Sequence, residues 1–214
     1  MELGNQILSG PDVADLSWAV QGSEIEVAVE TIDLTEFGSA PGYPVLRTIA
    51  RNPGVFSTSP TRFFYAQLED GEPSLAVLNF KAILHPHLRG RGLALLCLAK
   101  QVRCALRLGI GSLTVIAAGD WTKAGQLDGY SAWPAMGFGG TIPAHIWEAI
   151  PDDILLDAGF RGDDPPPDVR ELCAGATGKE AWRAYGAGFT MEFELSDANP
   201  HVTRQLQLLE DVGL

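Results

Sequence analysis

The stretch Leu84-His85-Pro86-His87-Leu88-Arg89-Gly90-Arg91-Gly92-Leu93-Ala94 separates two segments of different hydrophobic period, and its reading decides the fold. Before it, Ser74 to Leu84 reads as a strand, the second arm of a hairpin whose first arm is Arg62 to Leu68 and whose turn is Glu69-Asp70-Gly71-Glu72-Pro73. After it, Gly92 to Leu108 sets Leu95, Leu96, Ala99, Val102, Ala105 and Leu106 at helical spacing, with Lys100, Arg103 and Arg107 on another face and Gly109 as a stop. Ser112 to Ala118 is short, β-branched and apolar, which suits a buried strand parallel to the one before the helix. The result is a β-α-β unit with a right-handed crossover. Glycines at 90 and 92 let the backbone approach a ligand closely, and the free N–H groups of the helix's first turn point at it. A helix start of that kind binds phosphate, and Arg89 and Arg91 would add charge-assisted hydrogen bonds in the same place.

Outward from this unit, Glu24 to Leu34 alternates polar and apolar residues as a half-buried strand does. Phe37 to Tyr43 is a turn-rich connector, and Val45 to Ala50 reads as a short helix ended by Asn52-Pro53-Gly54. Downstream, Tyr130 to Met136 reads as a short helix with Pro134 at its middle, followed by Gly137-Phe138. Arg161 to Val169, three consecutive prolines among aspartates, predicts an extended surface linker. Phe189 to Leu195 alternates as a strand, and His201 to Leu209 reads as a terminal helix.

The whole is 214 residues with 46% hydrophobic content, one ordinary globular domain or one with a smaller appendage. Fifteen basic against 27 acidic residues leave a net charge of −12, which argues against a protein that grips a nucleic-acid backbone. Residues 151–214 carry 13 of the acids, yet from Pro73 to Gly119 there is no carboxylate beside Lys81, Arg89, Arg91, Lys100, Arg103 and Arg107. In an acidic protein, that concentrates positive potential for an anion. No apolar run approaches the roughly 20 residues of a membrane span, and the start lacks the order of a signal peptide, so the expectation is a soluble, cytoplasmic protein with no membrane partner. Three cysteines, Cys97, Cys104 and Cys173, have no CxxC spacing and read as reduced core thiols, with no metal site. Gly90-x-Gly92 is not continued as GxGxxG, no GxxxxGK[ST] occurs, and Gly129-Tyr130-Ser131-Ala132-Trp133 lacks the second glycine of a nucleophile elbow.

Arg89-x-x-Gly92-x-Ala94, preceded by Leu84-His85-Pro86, resembles the Arg/Gln-x-x-Gly-x-Gly/Ala signature of the GNAT N-acetyltransferase superfamily. Strand, loop, helix, strand, helix and Gly-Phe follow in that family's order over roughly Phe63 to Gly140. The resemblance implies an α/β fold with a mixed, mostly antiparallel central sheet splayed at one parallel pair and helices on both faces. It divides the chain into an acyl-CoA-binding part, residues 1–140, and a C-terminal extension, residues 141–214, that completes or covers the sheet.

It further implies that acetyl-CoA is the donor. Arg89, Gly90, Arg91, Gly92, Leu93 and Ala94 would hold its diphosphate, Trp133 would lie at the cofactor edge, and a backbone N–H near Leu84 would polarise the acyl carbonyl. The acceptor would be a small-molecule or peptide amine, and a homodimer is left open. The family's tyrosine acid sits five residues before the phenylalanine of Gly-Phe, where this chain has Trp133; an indole donates a hydrogen bond but supplies no proton. Tyr130, three residues earlier on about the same helical face, is the nearest hydroxyl. The family's strand glutamate is missing too: Asn79 and Lys81 stand there. His85 is then the first candidate base, with His87, Asp120, Asp128 or a water relay behind it. These departures keep a second reading open, an acyl-CoA sensor or an interaction module on the same fold. Trp147, Trp182 and Tyr185, with Glu192 and Glu194, either line an acceptor pocket for a cation or belong to the core and an exposed face.

Overall fold

The computed structural model describes residues 2–3, 6–37, 39–40, 43–69, 72–123, 128–196 and 198–214. The tip of the expected hairpin turn, residues 70–71, and residues 38, 41 and 42 of the connector lie outside these. In chain order the elements are β1 (Glu2–Leu3), β2 (Gln6–Ile7), α1 (Gly10–Leu16), β3 (Glu24–Glu30), β4 (Val45–Arg51), β5 (Phe56–Glu69), β6 (Glu72–Leu84), α2 (Leu93–Arg107), β7 (Ser112–Ile116), α3 (Gly129–Met136), α4 (Ala144–Trp147), α5 (Asp152–Asp157), α6 (Val169–Leu172), α7 (Ala176–Tyr185), β8 (Thr190–Glu194) and α8 (Pro200–Asp211). β1 and β2 pair with each other, and the other six strands form one sheet in the order β3-β4-β5-β6-β7-β8. β3 to β6 are antiparallel neighbours, and β6 and β7, joined through α2, are the parallel pair. This is the mixed, mostly antiparallel α/β architecture the sequence leads to.

By internal contacts the chain divides into two compact units, residues 1–114 with 194–214, and residues 115–193. In the first, β5 buries every residue from Arg62 to Ala66, so the strand shows no alternation of burial and Phe63 to Ala66 reads as a continuous run after a buried arginine. α2 packs on α1 and α8, and its Leu98, Ala99, Val102 and Ala105 are fully buried. Leu95, Leu96 and Leu106 are only half-buried, so the buried face of α2 is turned from the one their spacing indicates and includes Cys97, Gln101 and Cys104.

Val45 to Ala50 is a strand, not the short helix expected. Arg47 and Arg51, four apart, share a face at either period, so spacing alone cannot separate the two. Pairing with β3 decides it: Arg47 meets Glu30 at 2.6 Å and Glu26 at 3.3 Å, and Arg51 meets Glu26 at 2.6 Å. The opposite face, Leu46, Thr48 and Ala50, enters the core. α1 was not foreseen from its composition. It is held by a capping box in which the Ser9 amide donates to Asp12 Oδ2 at 2.8 Å and the Asp12 amide donates to Ser9 Oγ at 3.3 Å.

The second unit is built on aromatic residues. Phe138 packs against Phe193 and Trp133, with ring centroids 5.4 Å and 4.9 Å apart, and the buried Trp182 donates from Nε1 to the Tyr130 carbonyl at 2.8 Å. Gly139 and Glu192 exchange backbone hydrogen bonds at 2.8 Å and 2.7 Å, so the Gly-Phe segment runs beside β8. Residues 161–167 are irregular and mostly exposed, as three prolines in a row require.

Candidate functional site

β6 ends at Leu84, and the chain then turns through the 3₁₀ segment Pro86–Leu88 into the glycine pair. The backbone amide of His85 donates to the Val55 carbonyl at 3.1 Å, and its Nε2 lies 2.9 Å from the Pro53 carbonyl. A carbonyl only accepts, so this nitrogen carries the proton and Nδ1 is left as the basic one. The His87 ring stacks on His85 with centroids 5.7 Å apart. Opposite the end of β6, β5 slips register between Phe56 and Arg62. Irregular pairing of this kind re-aims a strand end.

Gly90 and Gly92 have φ of 70° and 78°, the left-handed region that glycine occupies without strain, and a Cβ on either would meet nothing within 4 Å. The space over the loop is open to a ligand. Gly92 caps α2 with no side-chain hydrogen bond, and the first helical bond is Leu96 N–H to the Gly92 carbonyl. Among the described residues, no backbone donor from Gly90 to Leu95 has a partner in the protein. Unmet amides at a helix start attract an anion, and the exposed Arg91 and Arg89 flank them. Arg89 also donates from Nε to the Leu84 carbonyl at 3.3 Å, which ties the loop to the strand end. The structure thus brings together Leu84, His85, Arg89, Gly90, Arg91, Gly92, Leu93 and Ala94.

The six cations between Pro73 and Gly119 do not all face that loop. Arg107 is bound to Asp12, and Arg103 lies 4.0 Å from Asp15, so α1 supplies the acids that the stretch itself lacks. Asp12 is held down to about 2 by hydrogen bonds from Ser9 and by the Arg107 guanidinium, against the upward pull of burial. An apolar groove of about 400 Å³ between α1 and β3, lined by Leu8, Val13, Ile25 and Val27, contains no cation and so cannot be the anion site.

Tyr130 and Trp133 belong to the second unit. Tyr130 is 2% exposed, and its hydroxyl donates to the Arg183 carbonyl at 2.9 Å. Burial, then the carboxylates Asp128 and Asp120, push that hydroxyl above its ordinary value and keep it protonated. Trp133 is half-buried against Phe138. Asp120 accepts from the Thr122 amide at 2.9 Å, closing a local turn. Trp147 and Trp182 are buried at 2% and 1% exposure, so both are core aromatics and neither lines an acceptor pocket. Burial pushes Cys97, Cys104 and Cys173 up to about 11, so all three are thiols near neutrality rather than nucleophilic thiolates.

Sequence reading missed one polar assembly, the buried row Thr48, Arg62 and Asn79 across β4, β5 and β6. Its only signal was an arginine opening the run Phe63-Phe64-Tyr65 with no carboxylate near it in the chain. Among the described residues no group of three or more His, Cys, Asp or Glu could hold a metal ion, and no helix is long and apolar enough to cross a membrane.

No protein-family profile matches the chain, and no curated protein does. Among solved structures, a mutant of the AtaT toxin bound to the C-terminus of the antitoxin AtaR and acetyl-CoA is similar over 56% of this chain and 86% of that one. The identity is 14% and the TM-score 0.29. A likeness of that size carries no weight here, and the fold rests on strand order and register.

Proposed function

We propose that this protein is an acyltransferase that takes an acetyl or related acyl group from coenzyme A and passes it directly to an amine. The observation that carries the proposal is the run of unmet backbone donors from Gly90 to Leu95, under two left-handed glycines and beside Arg89 and Arg91. These residues suit a diphosphate: glycine admits close approach, the amides and helix start favour negative charge, and the arginines add hydrogen bonds. Coenzyme A, when bound, supplies the activated thioester. The rest falls to the chain. A backbone N–H at Leu84 would polarise the acyl carbonyl, His85 would take the proton that the amine loses through Nδ1 or a water, and Tyr130 would give a proton to the departing thiolate. The amine nitrogen bonds to the carbonyl carbon as the carbon–sulfur bond breaks, with no acyl-enzyme, in keeping with three protonated cysteines.

The Tyr130 hydroxyl bonded to the Arg183 carbonyl, with no carboxylate on β6 after Glu72, favours a second reading in which acyl-CoA is bound but not turned over. Thermal shift with coenzyme A and acetyl-CoA, followed by thiol release with a panel of amines, separates the two. Binding with thiol release is the expected result, and binding without release supports the sensor. Neither would remove the acyl-CoA reading altogether.

A further inference from the structure

The buried guanidinium of Arg62 lies in the first unit at 0% exposure, on β5 between β4 and β6. Its Nη1 donates to the Thr61 carbonyl at 2.8 Å and the Lys81 carbonyl at 2.9 Å, and its carbon lies 4.6 Å from the centre of the Trp18 ring. Nε and Nη2, the edge with which arginine grips an anion by two parallel bonds, have no partner. Asn79, directly across on β6, donates nothing from Nδ2 either, although its Oδ1 accepts from Gln101 Nε2 at 2.9 Å. Gln101 is spent as well: it accepts from Trp18 Nε1 at 3.0 Å and donates to the Leu16 carbonyl at 2.7 Å.

Three buried nitrogens from two facing side chains therefore present donors and no acceptor. The charge is uncompensated too. Burial lowers Arg62 to about 9, which leaves it protonated at neutral pH, and the nearby Cys97 is held as a neutral thiol. The α1 carboxylates Asp12 and Asp15 are engaged with Arg107 and Arg103. A buried cation without a counter-charge, with unmet donors, is costly enough that folded proteins supply what is missing. Water would satisfy the donors but leave the charge. One small anion would do both.

We propose that Arg62 and Asn79 form an internal site for a small monovalent anion of the halide class, gripped by the Nε–Nη2 edge of Arg62 and by Asn79 Nδ2. The site is separate from the glycine loop and does not depend on the acyl-CoA reading.

The test uses the whole protein dialysed into sodium gluconate and titrated with sodium chloride or bromide at constant ionic strength. The melting temperature should rise with halide concentration in the wild type, as ligand linkage requires. The dependence should weaken in Asn79→Ala and vanish in Arg62→Met, and chloride-35 NMR should show line broadening that Asn79→Ala reduces. Should Arg62→Met fail to fold, anomalous scattering from bromide-soaked wild-type crystals decides, with a peak expected beside Arg62. A melting temperature indifferent to halide, with ordered water beside Arg62 in the crystal, would overturn the proposal.

Discussion

Tyr130 holds the sharpest question at the scale of single residues, because one hydroxyl has two uses. Bonded to the Arg183 carbonyl, it ties α3 to α7; burial keeps it protonated, so it has a proton to give but releases it less readily than a free phenol. Tyr130→Phe removes the tie in either case, at about 1 kcal/mol of stability. If the hydroxyl is the acid, the variant also loses turnover by about 10²-fold or more while binding coenzyme A as before. Steady-state kinetics beside calorimetry separates the outcomes, and unchanged kcat leaves only the structural tie. Asp12 gives a second prediction. Its folded value is depressed below the ordinary 3.8, so it contributes stability that is present above about pH 4 and is lost as pH falls toward 2. Asp12→Asn should lower the melting temperature at pH 7 and flatten the acid limb of a stability–pH curve between pH 4 and pH 2. An unchanged acid limb would contradict it.

At the scale of elements, β6, α2 and β7 were legible because each carries its period in its own residues and the glycine pair punctuates them. β4 was not. Its arginine spacing suits two periods, and only the carboxylates of β3 choose between them. The arrangement of α4 to α7 was hidden for another reason: helices of four to ten residues are too short to show a periodic face and take their order from buried aromatics such as Trp147 and Trp182. Gly188 shows how closely that second unit is built. A Cβ there would stand 2.0 Å from the Ala117 carbonyl oxygen, beside the hydrogen bond from the Gly188 amide to the Gly119 carbonyl at 2.7 Å. Gly188→Ala should therefore cost about 1–3 kcal/mol, read as a lower midpoint in urea with an unchanged slope. Gly10→Ala, at the first position of α1 where a Cβ meets nothing within 4 Å, is the control and should unfold close to the wild type.

For the molecule as a whole, charge sets the terms of recognition. At −12 it repels a polyanion on average, so binding of one must be won locally, at the start of α2. That concentration of cations was visible in the sequence. What was not visible is that Arg103 and Arg107 are drawn off by α1, whereas Arg89 and Arg91 belong to the loop itself. The polar row around Arg62 escaped notice because its members lie on three strands and meet α2 only through Gln101, and nothing local announces their meeting. The most direct measurement is isothermal titration of coenzyme A into the wild type and into Arg89→Glu/Arg91→Glu at low salt. The account predicts saturable heat for the wild type and a loss of affinity of at least about tenfold for the charge-reversed protein. Absence of heat in the wild type, or equal affinity in the two proteins, would contradict it.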